Sequence, residues 1–206
     1  MTTTSQENLI PLHQAHRNKT TYANLNFTAH IGLVIFLGSW TMMFAGLFFI
    51  YLSLRARQPI WPPENLPHLP LALPIFNSLF LVASSLALSR ALKFLPQGLL
   101  RPVRRYWLGA VLLGLLFMIL QSYAWHNLWN LGLTLRSGVY GSTFYLLTCF
   151  HALHIVVGLG LLLWLSPPII KLRPLTTHAA RMHLVSWFWH FMGIVWLVIF
   201  VSVYIF

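Results

Sequence analysis

The chain has 206 residues, of which 58% are hydrophobic and only 7% charged. That is too few charges to solvate a globular surface of this size, so the sequence reads as an integral membrane protein. The net charge of +11 arises from 13 Lys and Arg against two carboxylates, and because those cations lie between apolar runs, they read as topology signals and anionic-lipid contacts, with no nucleic-acid partner.

Residues 1–28 form a polar segment without the basic-then-apolar order of a signal peptide, so the first membrane helix is expected to serve as its own uncleaved targeting signal. The first apolar run covers 29–54, about 39 Å of helix, ample for a hydrocarbon core of about 30 Å. Arg55 and Arg57 stop it, and a proline-rich connection anchored by Trp61 follows. The second run, 71–95, carries Asn77, Ser78, Ser84, Ser85 and Ser89, small polar residues that let membrane helices approach closely. Arg90, Lys93, Arg101, Arg104 and Arg105 crowd the next connection and are expected to hold lipid headgroups.

The third run, 103–128, opens on the interfacial anchors Tyr106 and Trp107 and contains Gln121. A short loop with Trp, Asn and Gly leads to the fourth run, 139–165, which Pro167, Pro168 and a basic linker join to the fifth, 183–206. The predicted fold is therefore all-α, a bundle of five transmembrane helices in one domain over 29–206. Ten Lys and Arg fall on the side of the N-terminal segment and three on the other. The positive-inside rule then places the N-terminus inside and the C-terminus outside.

Two histidines stand three residues apart inside the fourth run, where an ionisable side chain is costly. At about 100° per residue, Tyr140, Thr143, Leu147, His151, His154 and Gly158 share one face, which should meet protein. His183, Ser186, His190, Gly193, Leu197, Val201 and Tyr204 form a similar stripe on the fifth helix. The two helices are read as neighbours sharing a structural polar seam of His151, His154, His190, Thr143 and Ser186. Trp187, Phe188, Trp189 and Trp196 are expected on outer faces or in an interfacial belt. Cys149, the single cysteine, reads as a small apolar residue in a buried helix, and Gly158 and Gly160 as sites of close packing.

No Asp or Glu lies in any apolar run, so a carboxylate proton relay or cation site cannot be built from this chain alone. No catalytic or metal-binding set is expected. A stand-alone b-haem protein using His154 and His190 is the minor alternative, since imidazole is a standard axial ligand.

Several stretches resemble subunit III of haem-copper oxidases. They are Val139-Tyr140-Gly141-Ser142-Thr143-Phe144, Phe150-His151-Ala152-Leu153-His154 through Gly158, and Trp187-Phe188-Trp189-His190-Phe191 with Val195-Trp196-Leu197 and Val201 to Tyr204. Phe44 to Phe48, Trp61-Pro62-Pro63, Asn77 with Ser84-Ser85, and Gly114 to Gln121 are similar too, and the five-span length matches the short bacterial form. The resemblance implies a subunit of a respiratory terminal oxidase in the bacterial inner membrane, without a catalytic site or cofactor of its own. Haem and copper would reside in the catalytic subunit I. Against that partner and the other subunits this chain would pack, bind phospholipid in a cleft, and help sustain proton uptake. Where many members carry membrane carboxylates, this chain has Trp40, Ala124 and Gly193. That departure favours scaffolding over proton buffering, or a divergent branch such as the subunit III-like protein of nitric oxide reductases.

Overall fold

The computed structural model describes residues 12–59, 61, 71–173, 175 and 177–205. These form five α-helices: α1 Leu12–Ala56, α2 Ala72–Phe94, α3 Leu100–Asn130, α4 Gly138–Ile170 and α5 Ala179–Phe200, the last closed by a π-helical turn, Val201–Ile205. No strand occurs among the described residues. All five helices are long and apolar enough to cross a membrane, and the chain is a multi-pass membrane bundle. In lipid a helix satisfies its own backbone polar groups, which is why apolar runs of this length take no other form.

Helix bounds differ most from the sequence expectation in two places. The polar stretch before the first apolar run is helical from Leu12, because the backbone ladder that crosses the bilayer can continue past it. Pro167 and Pro168, expected in a linker, lie inside the end of α4, which runs on to Ile170. Beyond them Leu172 N–H donates to Ile169 O and Arg173 N–H to Pro168 O, a Schellman closure with Leu172 at φ +50°. α3 ends the same way, Gly132 N–H donating to Trp129 O and Leu133 N–H to Leu128 O, but here glycine takes the left-handed position at φ +90°.

α2, α3, α4 and α5 pack as a closed ring, α2 on α3, α3 on α4, α4 on α5 and α5 back on α2. Its centre is Trp189. The indole is fully buried, its N–H donates to Ser84 Oγ on α2 at 3.1 Å, and Ser84 in turn donates to Ala110 O on α3 at 2.7 Å. The ring lies on two glycines: a Cβ at Gly114 or at Gly158 would stand 2.9 Å from it. Gly160, by contrast, has nothing within 4 Å and no packing duty. The second half of α1 joins the ring through Phe44, whose side chain packs near His151, and through Tyr51, whose hydroxyl donates to Ser202 O in the π turn at 2.8 Å.

Cys149 lies on the exposed face of α4, a correction to the buried position expected for it. Phe188, Trp189 and Trp196 are also corrected: all three are core residues, and of the expected outer aromatics only Trp187 is exposed, at 62%.

Candidate functional site

Every member of the predicted α4 stripe, Tyr140, Thr143, Leu147, His151, His154 and Gly158, is buried. The first of them belong to a fastening for the α3–α4 loop. Thr134 N–H donates to Ser137 Oγ at 2.8 Å, Ser137 Oγ donates to Gly132 O at 2.9 Å, and Ser142 Oγ donates to Leu135 O at 2.9 Å. Gly141 must lack a side chain because a Cβ there would collide with Thr134 O. Tyr145 then reaches back to donate to Leu133 O at 2.8 Å. The Gly-Ser-Thr block is thus a helix start wrapped by its own incoming loop.

α4 and α5 are neighbours, but the five polar residues expected along their seam do not converge. Thr143 turns its hydroxyl back onto Val139 O and Tyr140 O of its own helix. His154 Nδ1–H donates to Phe150 O, and its ring meets Trp40 edge-on. His151 is enclosed by Phe44, Phe117 and Trp196, the last with ring centroids 5.3 Å apart. His190 points to α2, with Nε2 within 3.1 Å of both Ser89 Oγ and Ser186 Oγ. On α5 the predicted stripe holds only in part, since Ser186 and Tyr204 are buried but His183 is exposed, as are Leu197 at 43% and Val201 at 40%. The face turned inward is the one carrying Trp189 and Trp196, because large aromatic rings bury more apolar area than the histidine face can.

The polar side chains that do join helices are of another kind. Asn77 Nδ2–H donates to Gln121 Oε1 at 2.9 Å, linking α2 to α3. Trp196 Nε1–H donates to Ser78 Oγ at 2.9 Å, linking α5 to α2. Trp107 Nε1–H donates to Ser166 Oγ at 3.2 Å, linking α3 to α4. Sequence reasoning treated Asn77 and the serines as a packing face without their Trp partners, and the signal available was the pairing of buried indole N–H groups with small hydroxyls one helix away.

Among the described residues no three His, Cys, Asp or Glu side chains come together as a metal site. His154 turns toward α1 and His190 toward α2. The described polar residues go into packing and hydrogen bonds between and within helices.

At the other end of the bundle the five cations expected to meet lipid lie around the α2–α3 turn. Arg90, Lys93, Arg101 and Arg105 are exposed, and Arg104 reaches across to donate to Ile170 O at 3.4 Å. That contact brings the end of α4, with exposed Lys171 and Arg173, to the same rim. Beside it Leu95, Pro96, Gly98, Leu100, Leu175, Ala179 and His183 line an apolar recess of about 600 Å³.

The sequence matches the family described as Cytochrome c oxidase subunit III over residues 13–206. The chain belongs to that family. Among curated proteins it is similar to the probable cytochrome c oxidase subunit 3 of Mycobacterium leprae, 35% identical over 175 residues, covering 84% of this chain and 86% of that one. The probable cytochrome c oxidase subunit 3 of Nocardia farcinica is 36% identical over 178 residues, with 84% and 86% covered. The cytochrome c oxidase subunit 3 of Loxodonta africana is 30% identical over 197 residues, with 93% and 73% covered. These relatives bear cytochrome c oxidase names, and the nitric oxide reductase reading of the missing carboxylates finds no support in them.

Within this subunit III-family chain Trp40, Ala124 and Gly193 stand in three different surroundings. Trp40 packs on His154 and Ala124 is buried, only 7% exposed. Gly193 borders a shallow groove of about 210 Å³ between α2 and α5, where an added Cβ would first meet Ser85 Oγ at 3.5 Å.

Proposed function

We propose that this chain is the non-catalytic subunit III of a bacterial respiratory terminal oxidase, packed against the catalytic subunit I and stabilising it. Haem and copper belong to that partner. The observation that carries the reading is the family match across all five membrane helices; it is supported by the buried signature residues, which go into helix packing and loop fastening and not into chemistry. The bundle sits in the inner membrane with its basic rim on the cytoplasmic side, N-terminus inside and C-terminus outside, as the asymmetry of Lys and Arg favours. Arg90, Lys93, Arg101, Arg104 and Arg105 hold acidic phospholipid headgroups there, and the apolar recess beside them suits the start of an acyl chain. The histidines, Thr143 and Ser186 are structural.

Deleting the chain from its host tests the proposal. The partner's haem and copper spectra should persist, while yield of the complex and its lifetime under turnover fall. Loss of a redox centre on deletion, or a partner that purifies and turns over equally well alone, would overturn it.

A further inference from the structure

Halfway along the outer contact of α2 with α5 runs the groove of about 210 Å³, walled by Leu81, Ser85 and Leu86 on one side and by His190, Gly193 and Ile194 on the other. Two of its side chains have hydrogen-bonding capacity to spare. His190 Nε2 is shared between Ser89 and Ser186, while its Nδ1 has no hydrogen bond among the described residues. The Ser85 hydroxyl bonds to none of them either. Gly193 keeps the floor open: a Cβ there would meet nothing nearer than Ser85 Oγ at 3.5 Å, whereas at Gly114 and Gly158 it would strike Trp189 at 2.9 Å. The bundle's own packing thus requires glycine at 114 and 158 but not at 193.

Depth decides what can fill the groove. At 1.5 Å of rise per residue, Ser85 stands about 14 Å from the Phe94 end of α2 and about 20 Å from its Ala72 end, and His190 about 16 Å from Ala179 and about 22 Å from Ile205. Headgroups begin about 15 Å from the midplane, so lipid phosphates do not reach these atoms, and an acyl chain offers them no hydrogen bond. Water has no stable place in that hydrocarbon. Polar groups at this depth are carried by protein, where they join helix to helix. We propose that the α2–α5 groove docks a transmembrane helix of another subunit of the oxidase complex, which inserts one carboxamide or protonated carboxylic acid side chain between Ser85 and His190, over Gly193. Such a group holds a donor and an acceptor side by side, matching a hydroxyl and a ring nitrogen whichever tautomer His190 takes. No Lys or Arg lines the groove to balance an ionised carboxylate. Leu86 and Ile194, 60% and 61% exposed, are covered by the apolar flanks of the same helix. This docking presupposes the oxidase-subunit reading and adds to it the face and the side-chain chemistry of contact.

A compact diazirine-bearing side chain placed at Leu86 or at Ile194, in the complex purified whole through a tag on this chain, tests the docking. Irradiation should join both positions to one and the same partner subunit, within a transmembrane peptide that carries Asn, Gln, Asp or Glu near mid-span. Adducts of lipid alone, of a second copy of this chain, or of a peptide without such a residue overturn it. Gly193→Leu fills the groove, and because an added Cβ meets only an ordinary contact there, the bundle should accept it. The crosslink from Leu86 should then fall severalfold while the yield of this chain holds. If that variant does not accumulate, Ser85→Ala takes its place with the same fall expected, and a crosslink unchanged by the substitution counts against the docking. Haem in the preparation separates the two readings. Lipid-only adducts in a haem-containing complex sink the groove and leave the subunit reading standing, whereas a chain that purifies without haem sinks the subunit reading and the docking with it.

Discussion

Buried indoles are the costliest side chains to place in this bundle, because each has a large flat ring and one N–H that must be bonded. Trp107, Trp189 and Trp196 solve both requirements with a small hydroxyl on a neighbouring helix. Trp189 also needs flat ground, supplied by Gly114 and Gly158. Gly158→Ala should therefore lower stability by about 1–3 kcal/mol, the usual cost of overpacking a filled core, whereas Gly160→Ala should be neutral. Thermal unfolding of the purified complex in detergent, followed through this subunit, distinguishes the two. His190 bridges Ser89 and Ser186, so His190→Ala should cost about 1–2 kcal/mol by removing the shared partner. No absorbance band of the chain should change with it.

Among the elements, α3 and α4 close with the same hydrogen bonds but different residues in the left-handed position, Gly132 and Leu172. An L residue there is strained by about 1–2 kcal/mol. Leu172→Gly is predicted to raise the unfolding temperature, offset in part by the greater freedom glycine gains in the unfolded chain. At the other end of α4, Gly141→Ala should push Thr134 O away and detach the α3–α4 loop. Faster proteolysis between Leu131 and Ser137, with the helices otherwise intact, is the expected sign; equal protection in variant and parent would count against the fastening.

For the whole molecule, the proposed orientation and the proposed lipid contacts both rest on the concentration of cations at one rim. A periplasmic reporter enzyme should be active when fused at the C-terminus and silent when fused in the connection between Arg90 and Arg105, and the opposite pattern would reverse the orientation. Neutralising Arg101, Arg104 and Arg105 together should strip acidic phospholipid from the purified complex and reproduce part of the deletion, measured as retained lipid per complex by mass spectrometry. Arg104 also donates to Ile170 O, so Arg104→Lys, which keeps the charge but not the same planar donor, separates the lipid effect from the link between the two connections.

Five apolar helices and the burial of the α4 face from Tyr140 to Gly158 were legible in the sequence, because hydrocarbon leaves the backbone one option and a helix has one period. The same arithmetic groups residues by angle but carries no information about which helix each face meets. Only the tertiary structure decided that His190 turns to α2, that His154 meets Trp40, and that Trp189 and Trp196 enter the core beside Ser84 and Ser78. The physical reason is competition between faces: on α5 the aromatic side buries more apolar area than the histidine side, and glycines on α3 and α4 leave room for it.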